Sequence, residues 1–94
     1  MRRLIKASSH TVELDRRYTM REIEALIGAE VVDSRNLDPQ ADVDMHVMIF
    51  DDLFLDKGLP LNVQATAIYH AAGFSPAQVI CGDVVIVPDS DFAI

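Results

Sequence analysis

Val84-Val85-Ile86-Val87-Pro88 carries more information about the fold than any other stretch of the chain. Four β-branched residues in succession, closed by a proline, form a continuous apolar run and do not alternate with polar residues. A strand with one wet face would alternate, so this one is expected to be buried on both faces. Cys81-Gly82-Asp83 in front of it reads as turn chemistry, and Ser75-Pro76-Ala77-Gln78 as a capped turn with Pro at its first position.

Upstream, Asn62 is placed to cap a helix over residues 63–72, with Val63, Ala67 and Ala71 on one face. Gly73 stops it, and Phe74 is expected to fold back on Tyr69. Thr19-Met20-Arg21-Glu22 fits a capping box, with Tyr18 and Ile23 at the positions of a hydrophobic staple. Met20, Ile23, Leu26 and Ile27 then recur at helical spacing up to Gly28, giving a first helix of about two turns that depends on packing. The remaining segments read as strands. Residues 2–7 and 11–14 flank a polar turn, residues 29–33 form a third strand, and residues 44–50 a fourth. Asp51-Asp52 is then a hairpin turn leading to Leu53-Phe54-Leu55. Ser34-Arg35-Asn36 reads as irregular and residues 89–94 as a loose tail.

These elements add up to an α+β fold. We expect one small domain over residues 1–94, a mostly antiparallel sheet of about five or six short strands, and two short helices on one face.

Composition narrows the function. The chain has 94 residues, is 50% hydrophobic and 24% charged, and carries a formal charge of −7. That length holds one core, and the hydrophobic content argues against disorder. The acidic balance argues against nucleic-acid binding, because such proteins need a basic face to displace phosphate counterions. The single cysteine, Cys81, allows no internal disulfide and reads as a buried, inert thiol. No apolar run reaches the roughly 20 residues that span a bilayer, so the expected location is the cytoplasm, a host's cytoplasm if the gene is phage-borne.

The charge is distributed unevenly. Residues 1–21 hold six basic and two acidic residues, a balance of +4, whereas the remaining 73 hold two basic and thirteen acidic, a balance of −11. Between Asp38 and Asp56 there are six acidic residues and no basic one. Such asymmetry suits a homodimer joined through the basic 1–21 and acidic 38–56 segments, or an acidic surface offered to another protein. It also suits internal cancellation between neighbouring strands.

Asp51-Asp52-Leu53, Leu59-Pro60-Leu61-Asn62 with Ala65-Thr66, and Ile80-Cys81-Gly82-Asp83-Val84-Val85 together resemble a family of small domains of unknown function carried by phages, plasmids and other mobile elements. In that family a Leu-Pro-x-Asn-x-x-Ala-Thr helix start follows an Asn-Glu-Glu-Gly-like turn, and Ile-x-Gly-Asp opens the last strand. The resemblance spans residues 20–88. It departs at Asp51-Asp52 and at Ala29, where a second glycine is usual. It implies a compact α+β fold and a mobile-element origin, and no reaction.

No nucleophile motif, phosphate loop or dinucleotide fingerprint occurs, so no catalytic residue, cofactor or enzyme activity is expected. Asp42-x-Asp44-x-His46 could present three ligands on one strand face, but strand-edge carboxylates are ordinarily solvated and no metal is expected. The expected function is that of a non-enzymatic acidic accessory protein that binds and modulates a host protein. Its interaction surface would comprise Asp38, Asp42, Asp44, Asp51, Asp52 and Asp56. The alternatives are a small-ligand module, suited to a nucleotide, with Asn62, Thr66 and His70 forming the ligand corner, and a purely structural homo-oligomer.

Overall fold

In a computed structural model, which describes residues 2–37 and 46–92, the chain forms β1 (Arg2–Ile5), β2 (Thr11–Leu14), α1 (Met20–Ile27), β3 (Val32–Leu37), β4 (His46–Asp51), α2 (Val63–Ala71) and β5 (Val84–Pro88), followed by a 3-10 turn at Asp89–Asp91. The strands make one sheet in the order β2-β1-β5-β4-β3, every neighbouring pair antiparallel.

β5 lies at the centre, and Val84, Val85, Ile86 and Val87 are all fully buried. The period of two in a strand sends these side chains alternately to opposite faces. Val84 and Ile86 pack with Ile5, Met48 and Phe50 of the sheet and with Ala65 and Tyr69 of α2. Val85 and Val87 pack with Leu4, Val47 and Ile49 and with Ile23 and Ile27 of α1. The two helices therefore cover opposite faces, not the single face expected. The reason is in β5 itself, since a strand with no polar face needs apolar cover on both sides.

Signals at the helix ends hold, but the α2 face of Val63, Ala67 and Ala71 is exposed, and Ala65 and Tyr69 are the buried residues of α2. Thr19 and Glu22 form the reciprocal capping box, and Gly28 ends α1 in the left-handed conformation at φ 69°. Tyr18 and Ile23 share the α1-side core. The Glu22 carboxylate, bound by Arg16 and by the Thr19 backbone N–H, is held at a pKa of about 2, well below its ordinary 4.5. Asn62 caps α2 through the Ala65 N–H, and Phe74 stacks on Tyr69 with ring centroids 4.3 Å apart. The β1–β2 turn is a three-residue loop closed by Lys6 N–H to His10 O and Ser9 N–H to Lys6 O, with Ser9 at φ 79°. Its geometry is that of a type I turn followed by a left-handed residue.

Three expectations are corrected. The third strand runs over Val32–Leu37 and not residues 29–33, so the stretch read as irregular, Ser34-Arg35-Asn36, is paired strand. Ala29 instead completes the helix stop, its N–H donating to Glu24 O. Leu53-Phe54-Leu55 does not return as a hairpin strand. β4 already has β3 and β5 on its two sides, and Asp51 Oδ1 accepts the Leu53 N–H, starting a series of turns over residues 52–58. Residues 89–92 are not loose: Asp91 is buried, and Phe92 packs against the α1-side core.

Candidate functional site

On the α2 face, beside the outer strand β3, lies an open groove of about 480 Å³. Its floor is made of buried Phe50, Tyr69 and Ile80, and its walls include Phe54, Leu55 and Val79. Leu55 is 75% exposed and Val79 42%, so the rim offers large apolar side chains to solvent. The turns that replaced the expected hairpin are what push Leu55 outward. Tyr69 holds the far wall in place, its hydroxyl donating to Gln78 Oε1 at 3.0 Å.

One end of the groove is closed by Asp33 and Arg35. Asp52 N–H donates to Val31 O. In the β3–β4 register this makes Asp33, Arg35 and Leu37 the residues bonded to β4, and turns the N–H and C=O of Val32, Ser34 and Asn36 outward. The outward groups of Ser34 are both occupied. Its N–H donates to Asp33 Oδ1 at 2.8 Å, and its carbonyl accepts from an Arg35 guanidinium nitrogen at 3.0 Å. That nitrogen also lies 2.7 Å from Asp33 Oδ2, closing a clasp across the strand edge. The guanidinium stands 5.7 Å from the Phe50 ring centroid, within cation–π range. Partial burial acts to lower the Arg35 pKa, but the charge and hydrogen bond of Asp33, together with those of Tyr69, outweigh this and raise it.

The groove lining also carries an acidic residue beside this end. Asp52 lines the groove, and Asp56 is exposed in the same series of turns. Among the described residues neither has a cationic partner. Lys57, the nearest cation in sequence, reaches instead to Asp51 Oδ2 at 2.7 Å and to Gly28 O at 3.1 Å.

The expected interaction residues are thus divided. Asp52 and Asp56 are exposed. Asp51 is not a surface residue: it is 1% exposed, and its carboxylate is consumed by Leu53 N–H and Lys57 because it starts the turn below β4. Asp38, Asp42 and Asp44 lie outside the described residues, as does most of the Asp42-x-Asp44-x-His46 reading. Among the described residues no three His, Cys, Asp or Glu side chains are placed to share a metal ion, and no helix is long and apolar enough to cross a membrane.

The expected ligand corner is structural in its geometry. Asn62 is 1% exposed. Its amide nitrogen donates to Ile5 O and Gly82 O at 3.0 and 2.8 Å, and its oxygen accepts from Ala65 N–H at 3.0 Å. Thr66 Oγ1 both donates to Ile80 O and accepts the Ile80 N–H. His70 Nε2 lies 2.6 Å from Gln78 O. All three side chains tie α2 to the segment that enters β5. Cys81 is partly exposed, not buried as expected.

Three of the basic residues near the N-terminus find internal partners among the described residues. Arg2 pairs with Asp91 and Arg16 with Glu22, while Arg17 donates to the Asp91 carbonyl. The groove residues Asp33, Arg35, Phe50, Phe54, Leu55, Tyr69 and Val79 were not singled out from the sequence. One signal was present: Asp-x-Arg at i, i+2 on a strand puts opposite charges on one face.

Compared with protein-family models, with curated proteins and with solved structures, the chain shows no significant match to any of them.

Proposed function

We propose that the protein is a non-enzymatic, acidic accessory protein of the mobile-element type, and that it binds and modulates a host protein through the groove beside β3. The observation that carries this reading is that exposed Leu55 and Val79 share one groove lining with the carboxylate of Asp52, which has no cationic partner among the described residues, while Asp56 is exposed in the same series of turns. Apolar residues at the centre of a contact supply affinity, and charges at its edge supply steering and selectivity. The mobile-element part rests on the motif resemblance of residues 51–66 and 80–85. The modulated target is a protein, because an open trough with apolar rims suits a large complementary surface better than an enclosed small molecule.

Capture from bacterial lysate on the immobilised protein, run beside Leu55→Asp and Val79→Asp, tests the reading. A specific partner retained by the parent at low salt and lost with either variant is expected. Equal retention by all three, or no retention, overturns it.

A further inference from the structure

We infer that the groove between the Asp33–Arg35 clasp and Leu55 receives a basic amphipathic helix of the partner protein. This rests on the interaction reading above and specifies what occupies the site.

Two kinds of occupant are distinguished by the strand edge. A peptide that extends the sheet would need the outward N–H and C=O groups of β3. Those of Ser34, in the middle of the edge, are already taken by Asp33 and Arg35. Adding a strand would therefore require breaking an ion pair and two hydrogen bonds at the point where register is set. Docking by side chains requires none of this. An apolar stripe at i, i+3, i+4 and i+7 on a helix can lay its residues into a trough. The floor of Phe50, Tyr69 and Ile80 and the walls of Phe54, Leu55 and Val79 offer apolar surface along one.

Charge fixes the sign of the helix. Arg35 is engaged by Asp33 and Ser34, and Lys57 by Asp51 and Gly28, so both cations near the groove are neutralised or saturated. Among the described residues Asp52 and Asp56 have no cationic partner. A lysine- or arginine-bearing flank meets Asp52 in the groove lining, with exposed Asp56 in the turns that follow it, while an acidic flank is repelled. The chain's net charge of −7 reinforces the same preference at long range.

The test uses the whole ¹⁵N-labelled protein and two synthetic peptides, one an amphipathic Leu/Lys helix and the other its Leu/Glu counterpart. Titration followed by amide shifts should give saturable changes at Phe50, Leu55, Val79 and Ile80 with the Leu/Lys peptide and none with the Leu/Glu peptide. Affinity should fall at least about tenfold in Leu55→Asp and in the double variant Asp52→Asn/Asp56→Asn, whose own spectra report whether they remain folded. Equal binding of the two peptides, shifts centred on β2, or undiminished affinity in both variants overturns the inference. No binding at all also overturns it. If a captured host protein still depends on Leu55 in that case, the interaction reading stands and only the helix assignment falls.

Discussion

Arg2 and Asp91, eighty-nine residues apart in sequence, meet in a two-pronged pair, with Nε and a terminal guanidinium nitrogen at 2.7 and 2.8 Å from the two carboxylate oxygens. Asp91 is 4% exposed, so removing Arg2 strands a buried charge. Arg2→Ala should therefore lower the unfolding midpoint, because it leaves the Asp91 carboxylate without its main partner. The hydrogen bond and charge of Arg2, working against burial, hold the Asp91 pKa below its ordinary 3.8. A depressed carboxylate contributes stability above its unfolded pKa and loses it as pH falls through the folded value. Urea midpoints should therefore decline below about pH 4 in the parent and decline less in Asp91→Asn.

Glu22 offers a second acid-sensitive point, at the start of α1. With its pKa near 2, its carboxyl carbon should show no titration shift in NMR spectra between pH 6 and pH 4, where an ordinary glutamate half titrates. Glu22→Gln keeps an acceptor for the Thr19 N–H but not the ion pair with Arg16, so α1 should persist and lose only this pH dependence.

Asn62 joins three parts of the chain through one amide. Asn62→Ala removes the α2 cap and leaves the carbonyls of Ile5 and Gly82 without that donor, for a loss of about 2–4 kcal/mol by denaturant unfolding. Asn62→Asp retains the cap but faces an oxygen toward both carbonyls, and should be no more stable than the alanine variant at neutral pH. A near-neutral Asn62→Asp would contradict the three-way bond.

Ser9 occupies a left-handed conformation at φ 79° that glycine adopts without strain. Ser9→Gly should raise stability by up to about 1 kcal/mol, seen as a higher thermal midpoint. Gly82 is the converse case. A Cβ there would lie 2.8 Å from Leu59 Cδ1 at φ +82°, so Gly82→Ala should lower the midpoint.

The Asp33–Arg35 clasp keeps β3 from acting as a template for another strand. Asp33→Ala with Arg35→Ala opens the outward groups of Ser34, and exposed edges pair with one another. Light scattering on concentrated samples should show association in the double variant and not in the parent, with little change in the unfolding midpoint of dilute samples.

Short-range chemistry was readable from residue identity. Thr19 with Glu22, Asn62 with Ala65, and Phe74 on Tyr69 each rest on partners within a few positions, where propensity and stereochemistry dominate. Long-range placement was less so. The apolar run of β5 foretold burial on both faces, which is incompatible with helices on a single face; the structure resolves this by putting α1 and α2 on opposite sides. Leu53-Phe54-Leu55 has strand composition, but whether it pairs depends on whether β4 has an open side, and β5, arriving from far along the chain, takes it. The groove was hidden for the same reason. Its floor comes from β4, α2 and the approach to β5, and no local pattern records that these meet.

The order β2-β1-β5-β4-β3 has a consequence for how the molecule is made. The first two strands and the β3–β4 pair share no border until β5 enters between them. During synthesis the nascent chain thus carries two separate hairpins with raw inner margins until the last of the five strands clears the ribosome. Closing contacts so distant in sequence is slow and leaves those margins open to wrong pairing. Nascent chains stalled before Val84 should show no slowly exchanging sheet amides, and chaperone dependence should be greatest in that interval.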